Sequence, residues 1–317
     1  MLEHIGLLVA GGALLYLGAE WLVQGAAGLA RVLGIAPIVI GLTVVAYGTS
    51  APEVVVTLIA AVDGRSAIAL GNVIGSNIAN LGLILGLTAA ISPPRVEAAL
   101  IRREVPVLIA VSVLLPLMLI GGEVSRPEGL VLLAAATAFT ILTLRLTRTV
   151  AVPPKLAAEV KEEVEREAGH GSRARLAALT ALGLAVLLVG GKIFVEGAAS
   201  LARELGMSES LVGLTIVAVG TSLPELASSI VAALRRHADL AVGNIVGSNI
   251  FNITAVLGLA SVAQPVQGSL AAGWVEIVTM LVLTAVSALL LRGERRISRL
   301  EGGVLLLVYA AFLVLIA

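Results

Sequence analysis

The sequence predicts an all-α polytopic membrane protein: ten transmembrane helices, built as two inverted five-helix repeats with both termini outside. Three observations predict it. Of 317 residues, 58% are hydrophobic and only 13% charged, too few to coat a globule, since soluble domains carry roughly 25% charged residues. Uncharged stretches of about 20 residues, enough for one helical span, recur along the whole chain. A self-similarity at one fixed offset divides the chain into halves.

Taken in order, the spans lie near 3–30, 36–62, 66–91, 104–121, 128–146, 175–203, 209–234, 240–263, 273–291 and 299–317. Met1 to His4 carries no basic segment and is followed by no small-residue cleavage site, so 3–30 reads as a first span rather than a signal peptide. The uncharged core from Gly129 to Leu144 is short; flanking Arg and Glu there must snorkel, or the bilayer must thin. The one sizeable polar segment separates the halves, and Lys155 to Glu167 reads as a charged amphipathic linker. The division is therefore a first repeat over 1–147, a cytoplasmic linker over 148–174 and a second repeat over 175–317.

The charges set the orientation. With the N-terminus outside, only Arg65, Arg126, Lys192 and Arg203 of the 21 basic residues lie away from the cytoplasmic loops, and the other 17 mark the cytoplasmic face. The 21 acidic residues balance the basic ones, so no nucleic-acid or acidic partner is implied. The absence of Cys excludes a disulfide scaffold, a Cys-ligated metal and a thiol nucleophile.

Residues 41–53 read G-L-T-V-V-A-Y-G-T-S-A-P-E and residues 213–225 read G-L-T-I-V-A-V-G-T-S-L-P-E, identical at ten of 13 positions with an offset of 172. The same offset aligns G-N-V-I-G-S-N-I-A-N at 71–80 with G-N-I-V-G-S-N-I-F-N at 243–252, and pairs Gly18 with Gly190 and Gly34 with Gly206. Five spans separate each position from its copy. Five is odd, so the halves are inverted, a plan that places substrate sites at mid-membrane where the repeats meet.

Pro52 sits inside an otherwise apolar segment, lacks an N–H and disfavours helical geometry at Ala51, so a break with freed carbonyls is expected around Ala46 and Thr49. Such groups persist at membrane depth only where something polar satisfies them. Thr49, Ser50 and Glu53 stand beside them, with Thr221, Ser222 and Glu225 as the repeat copies, all oxygen donors suited to hard cations. Ser76 and Ser248, one helical turn before Asn80 and Asn252, could reach an ion held there. Glycine- and serine-rich faces in membrane helices commonly serve packing, and a membrane Pro is often only a kink. An intramembrane carboxylate is rare and costly, and two recur here behind Gly-Thr-Ser-x-Pro. At about 6 Å and an effective dielectric near 20, two ionised carboxylates repel by roughly 3 kcal/mol, so one Ca2+, two Na+ or two protons must relieve them.

Gly-Thr-Ser-x-Pro-Glu followed about 25 residues later by Gly-Ser-Asn-Ile-x-Asn, twice and inverted, resembles the α-repeats of the sodium/calcium exchanger branch of the calcium/cation antiporters. The likeness covers both halves. It implies Glu53, Glu225, Thr49 and Thr221 as calcium ligands. It also implies one sodium site from the Ala46 carbonyl, Thr49, Ser50, Glu225 and Ser248, and its mirror from the Ala218 carbonyl, Thr221, Ser222, Glu53 and Ser76. Asn80 and Asn252 would border the middle of the cluster, and spans one and six resemble a pair that slides across the core. Some relatives carry Asp where this chain has Asn252, so the site here holds two carboxylates, which argues against K+ co-transport.

The expected function is Na+-driven Ca2+ exchange by alternating access in the plasma (inner) membrane of a prokaryote, with H+/Ca2+ exchange as the alternative and a passive cation channel behind it. No enzyme constellation is present: paired membrane Asp, or Ser with a membrane His, is lacking. The expected partners are Ca2+, Na+ or H+ and the lipid bilayer, with no cofactor, no nucleic acid and no obligate protein. Lower in weight, Glu20 and Lys192 are repeat mates, Lys192 and Glu196 have i,i+4 spacing, and Asp63 and Asp239 flank helix ends and read as solvated. Tyr47 interrupts the repeat beside the site and reads as packing.

Overall fold

The computed structural model describes residues 1–94, 98–147, 172–207, 218–292 and 297–316. Residues 148–171 of the expected 148–174 linker and the first part of the seventh expected span, 209–217, lie outside the described residues. The described residues are helical nearly throughout. Helix α1 spans Leu2–Leu33; the second span is broken into α2 (Pro37–Thr49) and α3 (Ala51–Val62); α4 runs Ser66–Ile91, α5 Ala98–Met118 and α6 Arg126–Thr147. The second half repeats the order with α7 (Ser172–Glu204), α8 (Ala218–Thr221), α9 (Leu223–Leu234), α10 (Ala238–Ala263), α11 (Trp274–Arg292) and α12 (Arg299–Ile316).

Among the described residues, eight helices are long and apolar enough to cross a membrane, and the bent α2–α3 pair makes nine. Helix α9 is too short to cross by itself and stands where the seventh span was expected. Exposed leucines, isoleucines and valines such as Leu2, Val9, Ile120, Leu289 and Leu307 face outward, as lipid-facing surfaces must. The two most buried spans are α4 and α10, largely apolar, and their Asn72, Ser76 and Asn244 bond residues of the broken helices.

Inversion is visible in the short contacts between loops. The segment after α5 forms β1 (Glu123–Val124), which pairs antiparallel with β2 (Val266–Gln267) after α10. Gly268 N–H also donates to the Gly122 carbonyl at 2.9 Å. A loop after the fourth span of one half thus lies beside a loop after the third span of the other. On the opposite face Ile297 N–H donates to the Pro94 carbonyl at 3.2 Å, the same relation with the halves exchanged. Only repeats of opposite orientation bring those loops together.

Helices α1 and α7 pack antiparallel along most of their length, and glycine makes this possible. The backbone of α7 at Leu187 lies where a Gly18 side chain would be, and the α1 backbone at Trp21 and Leu22 lies where a Gly183 side chain would be. Gly11, Gly18 and Gly25 on α1 are the repeat mates of Gly183, Gly190 and Gly197 on α7, and all six are tight. Without a hydrophobic drive between helices in lipid, such backbone approach supplies the association through van der Waals contact.

Gly183→Ala should therefore destabilise the protein by about 1–3 kcal/mol through overpacking, read as a lowered thermal midpoint of the detergent-purified protein. Gly6→Ala lies on the same helix pair with no atom within 4 Å of the new methyl, and should not lower it.

Candidate cation-binding site

The site is made where α2–α3 and α8–α9 break against α4 and α10. Helix α2 ends at Thr49 and α3 begins at Ala51, bent by 45°, with Ser50 between them at φ −79°, ψ 9°. Pro52 supplies no N–H to the turn before it and stands in the first turn of α3, where a helix tolerates proline. Ser222 repeats this geometry at φ −89°, ψ 6°, with Pro224 in the same place. Each break turns its Thr, Ser and Glu inward.

In the second half Ser222 N–H donates to Val219 O at 3.1 Å. In the first half, where a freed carbonyl is expected, Ser50 N–H donates to Ala46 O at 3.1 Å, and Thr49 Oγ1 lies 3.4 Å from the same oxygen. The Ala46 carbonyl is thus already engaged, and only its second lone pair remains for an ion.

The side chains cross-connect the repeats. Ser50 Oγ donates to Glu225 Oε1 at 2.8 Å, and Ser222 Oγ donates to Glu53 Oε1 at 3.0 Å. Ser76 Oγ adds a longer bond to the same Glu53 oxygen at 3.4 Å. Glu53 and Glu225 are 1% and 0% exposed and close enough for their charges to repel. Among the described residues the second oxygen of each carboxylate has no hydrogen-bond partner, nor have Ser248 Oγ, Asn252 Oδ1 or either amide atom of Asn80. Asn252 Nδ2 reaches Asn77 Oδ1 at 3.5 Å. Unmatched buried oxygens are costly, and a set of them around two carboxylates is a donor set for a hard cation.

The neighbouring helices carry local devices that hold this set. Gly247 has no side chain where a Cβ would sit 2.9 Å from Ala46 Cβ, so α10 presses onto the end of α2 beside Ser248. Both α4 and α10 widen into a π-helical turn at the repeated Asn, over Ala79–Ile84 and Asn252–Val256. Such turns interrupt the regular ladder and occur mostly at functional sites. Tyr47 stacks on Phe251 with ring centroids 4.3 Å apart and bonds Thr140, so its departure from the repeat is packing, as expected.

Two further residues belong to the arrangement: Asn72 and Asn244. Thr49 Oγ1 lies 3.3 Å from Asn244 Oδ1, and Thr221 Oγ1 lies 3.4 Å from Asn72 Oδ1. The amide groups are themselves fixed, Asn72 Nδ2 by Thr57 at 2.9 Å and Asn244 Nδ2 by Ser228 and Ser229 at 3.2 and 3.1 Å. Thr49 Oγ1 has one proton and lies nearer Val45 O, at 3.0 Å, so Asn244 Oδ1 is one of the acceptors it can serve, as Asn72 Oδ1 is for Thr221. Their signal was present in the sequence, one turn before Ser76 and Ser248 on the same face and identical in both repeats. Among the described residues no three acidic, His or Cys side chains cluster, so the site has two carboxylates and neutral oxygens.

Residues 3–145 and 175–317 match the protein family described as sodium/calcium exchanger protein. The chain belongs to the sodium/calcium exchanger family. It is 40% identical to the inner membrane protein YrbG of Escherichia coli over 84% of this chain and 81% of YrbG. It is 31% identical to the sodium/calcium exchanger MaX1 of Methanosarcina acetivorans, over 98% of this chain and 97% of MaX1. A solved structure of the sodium-calcium exchanger NCX_Mj, soaked with 2.5 mM Na+ and 0.1 mM Ca2+, superposes with a TM-score of 0.86 at 30% identity, covering 99% of this chain and 98% of that one. This exchanger is accordingly an integral membrane cation/calcium antiporter of two repeats, and not an enzyme.

Glu53→Gln and Glu225→Gln each remove one negative charge while keeping shape. Either should abolish most calcium flux in liposomes with the protein still folded; calcium flux retained in both would remove the carboxylates from the site. Asn72→Ala or Asn244→Ala should weaken calcium affinity by about tenfold, the worth of one hydrogen bond to an ion ligand, without abolishing transport.

Proposed function

We propose that this exchanger moves Ca2+ against Na+ through one shared cluster, with Ca2+ held between Glu53 and Glu225 and completed by Thr49 and Thr221. Sodium then occupies two flanking positions. One is formed by the Ala46 carbonyl, Thr49, Ser50, Glu225 and Ser248, the other by the Ala218 carbonyl, Thr221, Ser222, Glu53 and Ser76, with Asn80 and Asn252 between them. The observation that carries this reading is the pair of buried carboxylates, each with one oxygen bonded by a serine of the other repeat and one oxygen unmatched.

Charge explains why the ions exclude one another. Two carboxylates in a site closed to water repel, and a single Ca2+ neutralises both, as do two Na+. A cation must leave before another of equal charge can enter, so movement across the membrane is coupled. The inverted repeats supply two equivalent half-sites whose relation to the two faces can be exchanged, the plan of alternating access. The 17-to-4 division of basic residues supports both termini outside, and likeness to an inner membrane protein supports the plasma (inner) membrane of a prokaryote.

The test is radiolabelled calcium uptake into liposomes holding the purified protein, with Na+, K+ and H+ gradients imposed one at a time. An outward Na+ gradient should accelerate uptake and a K+ gradient should not. Equal uptake with and without the Na+ gradient contradicts sodium coupling, and acceleration by H+ in its place transfers the assignment to H+/Ca2+ exchange. Flux with no counter-ion marks a channel. Asn252→Asp adds a third carboxylate at the cluster and should make calcium transport more sensitive to acid; an unchanged pH profile would take Asn252 out of it.

A further inference from the structure

The two repeats match in sequence but not in their packing. On one face α1 lies along α9, and Leu22, Val23, Val231 and Ala232 share one buried cluster. The mate of that contact would be α7 along α3, and α7 makes no comparable contact with α3. The difference is plain at one pair of mates: Val231 is 4% exposed and Ile59 is 52% exposed. Phe194 and Val195, mates of the buried Leu22 and Val23, are only half-buried. The α1–α7 pair is thus seated on the second repeat at the α9 end and stands away from the first repeat at the α3 end.

A charge pair sits at each of these places. Glu20 of α1 is ion-paired with Arg235, which caps the end of α9, with Arg235 Nε donating to Glu20 Oε2 at 3.1 Å. The repeat mates of Glu20 and Arg235 at the offset of 172 are Lys192 and Asp63. The signs are reversed: the acid is on α1 and the base on α9 at one face, the base on α7 and the acid at the end of α3 at the other. Both combinations attract. Only the first is made here. Lys192 is exposed and makes no ion pair among the described residues, including with Glu196, and Asp63 is held by Arg65 Nη2 at 2.6 Å.

In an inverted-repeat protein, exchanging the conformations of the halves produces the state open to the other side. Exchange here seats α7 on α3, covers Ile59, and brings Lys192 to Asp63 while Glu20 leaves Arg235. We propose that Glu20–Arg235 and Lys192–Asp63 are charge-reversed latches, one at each face, engaged in alternate conformations of the transport cycle. Asp63 changes partner between states, from Arg65 to Lys192. The latches rest on the alternating-access reading above, and their test reads geometry rather than the flux of one ion.

The chain has no Cys, so a double variant Lys192→Cys/Asp63→Cys carries the only thiols. A short homobifunctional maleimide should crosslink it in membranes, arresting exchange while a singly substituted control treated alike remains active. Adding Arg235→Gln, which breaks the latch seen here, should speed crosslinking by about two- to fivefold, the range for an exposed ion pair, and Arg235→Lys should not. The companion variant Glu20→Cys/Arg235→Cys should crosslink in the conformation described here, and labelling of each thiol with a monofunctional maleimide checks folding and access. No crosslink between 63 and 192 when 20 and 235 crosslink readily, or a rate indifferent to Arg235→Gln, overturns the proposal. Normal crosslinking with no sodium-dependent calcium uptake would instead fault the ion assignment and leave the latches standing.

Discussion

A carboxylate inside a bilayer persists only with a partner for its charge, and this chain buries two of them within repelling distance of each other. Serine hydroxyls from the opposite repeat take one oxygen of each, which is far less than two charges require. In the function proposed above, the missing partner is a cation that comes and goes. The helix breaks, the widened turns in α4 and α10 and the glycine contact at Ala46 follow from that need, because each brings a polar atom to the cluster or lets a backbone come close enough to hold it.

The same constraint accounts for the division of the molecule into parts. Helices α3, α4, α9 and α10 hold the cluster and are tied to the outer helices by matched contacts, α6 on the end of α10 and α12 on the end of α4. The glycine-faced pair α1–α7 is bound mainly to itself. It rests unevenly on the two repeats, and the uneven seating is the departure from symmetry that a two-sided transporter needs. A perfectly symmetric molecule would be open to both faces or to neither.

Much of this was legible in the sequence because membrane proteins write their constraints in rare residues. The offset of 172, the repeated Gly-Thr-Ser-x-Pro-Glu and the two buried Glu are strong signals in a chain with few polar residues, and the span limits fall close to helix ends wherever those ends are described, except that α5 begins at Ala98, ahead of the expected 104. Contacts between helices were less legible. Asn72 and Asn244 sit in the repeated strings with nothing nearby in sequence to give them a role, since their partners Thr221 and Thr49 are about 150 and 195 positions away. Glu20 and Lys192 are mates by the offset alone, but the pairing of Glu20 with Arg235 depends on how α1 leans on α9, and Lys192 and Glu196, close in sequence, make no ion pair among the described residues. Asp63, read as solvated, is ion-paired with Arg65 at the surface. The Ala46 carbonyl, expected to be freed, accepts from Ser50 N–H, a turn geometry that the position of Pro52 alone does not give.

The central claim is that one pair of carboxylates is shared by competing cations. Calorimetric titration of Ca2+ into the purified protein at a series of fixed Na+ concentrations tests it most directly. The account predicts one Ca2+ per chain, an apparent affinity that falls steadily as Na+ rises, and no calcium heat in the Glu53→Gln/Glu225→Gln variant. A calcium affinity indifferent to Na+, or binding that survives loss of both carboxylates, would contradict it.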